Sequence, residues 1–476
     1  MSANTIPRIS DDRRLPLVLG AFGAAMAASL LYTAVPLAFL VGVLAFGYFI
    51  SRPYELLLVM VFLIPFNFIF KIGPFPMAAE MLKVFEWVPF LICVATLGRP
   101  FRASRYHRWL VLLGALIFLS VFHANDLPFT LKESVRFGSN LGLCYLVPNL
   151  VDSREKVLQV FRVLTISTFL VACYGFYQFA IQDYGALFWI VNPRLDTALA
   201  PGRETFWIWR NRMISVLTSE MELGHYFNLC LPLGLALWLV EGRRRLSSRW
   251  LWMSVATLAA LVLTFTFGAW LALAATIAFF VLIFDKKQRW RMILAGTFTA
   301  SVAIAVVSFS SLRLLFDKKL LGTGIGSLAW DVLTRLDSWL FAAQVWWAHP
   351  LFGVGVGNFQ ALQFQHDFIH SPWAPVGGSP HETYLYLLVQ VGIVGLIATL
   401  VIMLGNIRGN LRLKAHPELG PMALALAFAL IVNMFGWFSD DSSFFGPHAS
   451  YLVWLLLGLS EAVRRLATPK PAVNVV

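Results

Sequence analysis

Charge is scarce in this chain. Asp, Glu, Lys and Arg make up 13% of its 476 residues, against roughly 25% in a soluble globular protein. That argues against water-soluble domains as the bulk of the molecule. Cysteine is scarcer still. Cys93, Cys144, Cys173 and Cys230 each sit inside an apolar run, with no CxxC spacing. They read as small buried hydrophobes, which argues against a disulfide framework or a cysteine zinc site. No Walker lysine motif is present, and GVGVG at 353–357 is not set in a βαβ pattern, so no nucleotide-binding fold is expected. Those glycines read as a tight turn, where positive φ and close approach are needed. His366 and His370 have the i, i+4 spacing of a metal pair, but no glutamate lies between them and no third ligand is evident. No metal site is therefore expected.

What the chain does have is hydrocarbon: 59% hydrophobic residues and a mean hydropathy of +0.73. The expected fold class is all-α, a polytopic membrane protein with about 12–14 transmembrane helices. The net charge of +12 falls in short clusters between apolar runs, the pattern of topology signals rather than of a nucleic-acid surface. The run 250–284 is flanked by RRRLSSR and DKKQRWR. As one helix it would be about 52 Å long, against a hydrocarbon core of about 30 Å. It is expected to be a hairpin turning near Phe265–Gly268, with both flanks cytoplasmic. With both termini inside, 25 of the 37 lysines and arginines fall on the cytoplasmic side. The N-terminal apolar segment reads as an uncleaved first span rather than a secretory signal, because a second span follows at once.

The expected organisation is N-terminal transmembrane helices over 1–181, then a periplasmic loop over 182–222. Transmembrane helices over 223–309 include the 250–284 hairpin. A large, partly helical periplasmic loop over 310–382 lies between the eleventh and twelfth spans, and C-terminal spans fill 383–476.

The polar residues of interest lie in the two long outer loops. Arg335 sits in LTRLDSWLFAAQVWWAHP, where Leu336, Trp339, Leu340, Ala343 and Trp346/Trp347 form an apolar stripe at helical spacing. This predicts an amphipathic helix on the membrane surface with Arg335 near its start. Arg335 either snorkels to the headgroups or clamps a phosphate through its bidentate donors. His381 follows GGSP and precedes ETYLYLL at the mouth of a span. It is either a helix cap or a base that takes a proton from an attacking hydroxyl. Arg210 and Arg212 either hold an anionic headgroup or pair with Glu220 and Glu222. Trp207 and Trp209 read as interfacial belt aromatics.

This pattern resembles the O-antigen ligase-like and O-antigen polymerase superfamily of bacterial envelope glycosyltransferases. The likeness rests on Arg335 with Trp339, on HPLFGVGVGNF (349–359), and on His381 followed by YLYLLVQVGIVGL (384–396). RMISVLTSEMELGHYFNLCLPL (212–233) and TFTFGAWLAL (264–273) are also similar to family blocks. The resemblance implies a metal-independent glycosyltransferase without cofactors in the bacterial inner membrane. Such an enzyme moves a glycan from undecaprenyl diphosphate to an acceptor hydroxyl at the periplasmic face. Arg335 is then the diphosphate clamp and His381 the base, with Glu382 beside it, while Arg210, Arg212, Glu220 and Tyr384 bind substrate. Two positions depart from the family pattern. Phe267 stands where the family has an arginine, and Glu382 where it has an asparagine. Glu382 either raises the basicity of His381 or replaces it.

The expected partners are the lipid-linked glycan donor, a lipid or glycan acceptor and the bilayer, with no nucleic acid. A ligase and a polymerase of lipid-linked repeats share these residues and differ in acceptor. A transporter or flippase would place ionisable groups deep in its spans and show internal repeats; few such charges and no repeat are evident.

Overall fold

The computed structural model describes residues 48–49, 52–66, 70–72, 75–77, 101–181, 212–217, 219–242, 245–283, 324–364, 380–441, 444 and 449–468. Arg210, His366 and His370 lie outside these residues, as do the expected spans near 15–32, 84–98 and 291–309 and most of the one near 35–50. The described chain is helical: α1 (Pro53–Leu63), α2 (His107–Ser120), α3 (Leu127–Leu150), α4 (Arg154–Ile181), α5 (Glu220–Val240), α6 (Arg249–Leu263), α7 (Phe267–Ile283), α8 (Gly324–Ala348), α9 (Asn358–Phe364), α10 (Thr383–Arg412), α11 (Gly420–Gly436) and α12 (Ala449–Ala467). A short antiparallel ribbon, β1 (Phe70–Ile72) with β2 (Phe75–Met77), pairs Lys71 opposite Pro76. The ribbon belongs to a compact unit made of 1–60 and 70–101. The second unit, 61–69 with 102–476, carries everything described below.

α4, α5 and α10 are each long and apolar enough to cross a membrane, and the molecule is an all-α polytopic membrane protein. Large apolar side chains point outward along several helices, among them Phe118, Phe122, Leu271 and Leu282, all more than 60% exposed. In water such faces would aggregate; against lipid they are at home. α5 and α11 pack together at the centre, with α4, α6, α7, α10 and α12 around them and α3 against α12. Trp437, Phe444, Trp454 and Phe137 form a buried aromatic cluster, with ring centroids 5.1–6.1 Å apart.

Chain direction gives the helical bundle two chemically different ends. Arg162 of α4 meets Glu241 after α5 at 2.8 Å; Trp250 of α6 donates to the same Glu241. Arg464 and Arg465 pair with Glu461 in the last turns of α12. At the other end lie the N-termini of α5, α7, α10 and α12 and the C-termini of α6 and α11. Met213 N donates to Leu263 O, and Thr383 N to Trp437 O, both at 2.9 Å. Thr266 Oγ1 donates to Glu220 O at 2.9 Å. The long apolar run breaks at Thr264–Thr266, where Phe265 takes φ +52°. α6 and α7 then pack on opposite partners around α5, α6 reaching α4 and α7 reaching α11.

α10 is broken in mid-course. Gly392 has φ +67° and ψ −174° inside it, so four backbone groups lose their helical partners. The 350–355 segment supplies each replacement. Val354 N donates to Val389 O and Gly355 N to Gln390 O, at 2.8 and 3.0 Å, while Ile393 N and Val394 N donate to Pro350 O and Leu351 O at 3.0 and 3.3 Å. Gly353, Gly355 and Gly357 all have positive φ, which lets the loop lie flat on the break. A Cβ on Gly392 would meet Leu351 O at 2.1 Å. The glycine turn and the VGIVG of α10 are therefore one unit. In a membrane this repair matters because each unpaired backbone group costs several kcal/mol.

α8 differs from its sequence expectation in the place of Arg335. Arg335 falls in mid-helix rather than near the start, because the helix begins at Gly324. The apolar stripe is the outward face: Leu336 is 42% exposed, Leu340 55% and Trp347 79%, while Asp337, Ser338 and Ala342 are buried. The helix thus turns its polar side toward the protein, the arrangement favoured when the surroundings are lipid.

Candidate active site

The segment after α11, Trp437–Asp441, gathers most of the chemistry-bearing residues. α8 reaches it through Arg335, whose Nη1 donates to Ser439 O at 3.0 Å. One turn further along α8, Trp339 Nε1 donates to Pro380 O at 2.8 Å, fixing the approach to α10. Thr383 then ties α10 to the same segment, its Oγ1 donating to Asp440 O at 2.8 Å. Between these anchors sits His381, half-buried and with φ +51°. Positive φ is uncommon for a residue with a Cβ, though histidine tolerates it better than bulky residues do. Here Trp339 on one side and Thr383 on the other hold it.

His381, Asp440 and Asp441 each present a ligand-type atom, all within 4.8 Å of one another. Both carboxylates are buried, at 3% and 7% exposure. Beneath them, His225 of α5 is buried, and its Nε2 lies 3.7 Å from Asp440 Oδ2. A carboxylate flanked by imidazoles can orient one of them and stabilise its protonated form. An imidazole with two carboxylates is also a donor set that a divalent cation would accept.

Glu382 is the N-cap of α10. Its carboxylate accepts from Tyr384 N at 3.2 Å and from Leu385 N. Burial pushes its carboxyl above the ordinary glutamate value and Asp441 adds to the rise, while the two backbone amides pull it down. The Tyr384 hydroxyl donates to Met434 O at 2.8 Å, and its ring packs on Trp437 and Phe438. Glu382 thus caps α10, and Tyr384 holds α10 to α11.

Arg212 pairs with Glu220: Nη1 meets Oε1 at 2.7 Å. Glu220 is buried and within reach of the Asp440 charge, so this ion pair borders the same site. Ser219 caps α5 by accepting from Glu222 N, and Glu222 Oε1 accepts from Ala449 N at 3.5 Å. Phe267 is 56% exposed, yet its neighbour Gly268 abuts Ser439. Position 267, where the resemblance leads one to expect an arginine, is thus beside the segment that carries Ser439.

The O-antigen ligase family model matches residues 252–400. That stretch is similar to the O-antigen ligase family. The matched stretch contains Arg335, Trp339, the glycine turn, His381 and the break in α10 at Gly392. Arg212, Glu220, His225 and the Asp440–Asp441 pair lie outside it. No curated protein matches the chain. The sequence reading missed His225, Asp440 and Asp441. Two signals were there: an ionisable residue within the apolar run of α5, and adjacent aspartates directly after an apolar span.

Proposed function

We propose that this membrane protein moves a glycan from an undecaprenyl-diphosphate-linked donor to an acceptor hydroxyl at the periplasmic face of the bacterial inner membrane. The family match supports an enzyme of the ligase or polymerase type. Arg408 and Arg412 at the end of α10, and Arg464 and Arg465 at the end of α12, lie at the opposite end from His381. That separation supports a site facing away from the cytoplasm, since basic residues favour the cytoplasmic side.

The observation that carries the reading is the joining of Arg335 and His381 to a single short segment, through Ser439 O and Asp440. In the reaction, the acceptor oxygen attacks the anomeric carbon and forms the new C–O bond. The bond from that carbon to the phosphate oxygen breaks, and undecaprenyl diphosphate leaves with the electron pair. His381 takes the hydroxyl proton, and Asp440 faces the imidazolium that results. Arg335, with help from Arg212, meets the charge growing on the diphosphate. A fixed guanidinium does this without reorganising as the charge develops. Glu382 acts by capping α10 and so holding His381 at its place.

The test is glycan transfer in membranes with Arg335→Ala and His381→Ala. Each is expected to lose at least about a hundredfold in rate at normal protein level, the scale of removing a base or an oxyanion donor. Wild-type rates in both would end the assignment. Gel analysis of surface glycan after gene deletion separates the two acceptors. Loss of all attached glycan marks a ligase, and a single attached repeat marks a polymerase.

A further inference from the structure

His225 has no part in the reaction as drawn, yet it occupies an unusual position. It is 2% exposed, on the second turn of α5, in the middle of the packed bundle. Its Nε2 has no hydrogen-bond partner. At 3.7 Å from Asp440 Oδ2 it is within ion-pair range but beyond a hydrogen bond of about 3 Å. A buried polar nitrogen left unbonded is costly, so it calls for a reason. The packing makes room for it: a Cβ on Gly436 of α11 would lie 2.7 Å from both Cε1 and Nδ1 of the ring. An absent side chain on one helix thus admits an imidazole on the next, and the ring's free nitrogen faces Asp440.

We propose that His225 is a positioning residue for the transfer reaction, closing onto Asp440 from below so that this carboxylate is held toward His381. Thr383 fixes the Asp440 backbone through its carbonyl, which leaves the carboxylate itself to be set by what it touches. His225 lies on its buried side and His381 within 4.8 Å. Asp441 adjoins it, and the Glu220–Arg212 pair borders it from the start of α5. The catalytic part of this inference rests on the glycan-transfer reading; the His225–Asp440 pairing stands apart from it.

The experiment uses the full-length protein in native membranes, with donor-dependent transfer as readout and thermal unfolding of each purified variant as the folding control. His225→Leu keeps apolar bulk and removes the donor. It is expected to lower kcat by at least about tenfold with KM for the donor unchanged, the pattern of a lost transition-state interaction. His225→Gln restores an amide donor and is expected to recover most of that loss, which a purely space-filling role would not produce. In an Asp440→Asn background, His225→Leu should cost nothing further, since residues acting as a unit are not additive. Gly436→Ala, which crowds the same ring from outside the pair, should also lower kcat and covers the case in which His225→Leu fails to fold. Full kcat in His225→Leu, or additive losses with Asp440→Asn, would overturn the proposal. Loss of transfer on chelation with recovery on adding Mn2+ would overturn it too, by making the His381–Asp440–Asp441 cluster an ion site. If the wild-type protein shows no glycan transfer, the glycan-transfer reading itself fails, a result distinct from any of these.

Discussion

At the scale of single residues, Glu382 shows how a position singled out for chemistry also carries structure. It follows the candidate base directly, and its carboxylate could plausibly serve an imidazole. The fold instead turns it along the axis of α10, where it accepts from two backbone amides. Glu382→Ala should therefore lower stability by about 1 kcal/mol, the usual cost of a lost N-cap, while Glu382→Gln keeps an accepting oxygen and most of the stability. Burial raises the carboxyl above its unfolded value. Its contribution to stability is then fully present below the unfolded pKa and falls as pH rises through the folded one. Thermal unfolding across that range should show a shallower pH dependence in Glu382→Gln than in the wild type. An unchanged pH dependence would assign the effect to another group. Arg335 and His381 stand out in the sequence because they are unusual polar residues in an apolar chain. Asp440 does not, because its neighbourhood arises from α5, α10 and α11 meeting at one end, and no local pattern encodes that meeting.

At the scale of elements, the broken α10 and the glycine turn explain each other. Read separately, GVGVG is a turn and VGIVG is part of an apolar span. Together they exchange four backbone hydrogen bonds across 350–355 and 389–394, a pairing that sequence spacing cannot reveal because the two segments lie far apart. Gly392→Ala should be severe, about 3 kcal/mol or more, because it combines strained φ with a clash against Leu351 O. Gly138 of α3 has open space where its Cβ would go, so Gly138→Ala should be neutral or slightly stabilising. Folded yield and thermal unfolding of the two variants in detergent would compare them. Equal behaviour would mean that the break at Gly392 carries no strain. α8 teaches a related lesson. Helical periodicity found its stripe, but periodicity says only that one face differs from the other. The surroundings decide which face turns outward, and here the apolar one does.

At the scale of the whole molecule, the two ends of the bundle differ in their chemistry. One end carries arginines paired with glutamates at helix termini and the backbone carbonyls they reach. The other collects Arg212, Glu220, Arg335, His381, Asp440 and Asp441 around the segment that follows α11. Membrane character and the helical class were evident from composition, since a chain with so little charge has few other folds available. Convergence of the site was not evident, because it depends on which helix ends become neighbours. The most direct test is a cryo-electron microscopy structure of the full-length protein with undecaprenyl diphosphate bound. The diphosphate should lie against the Arg335 guanidinium, on the side where His381 stands. A diphosphate bound instead at the opposite end, beside Arg162 and Glu241, would contradict the account.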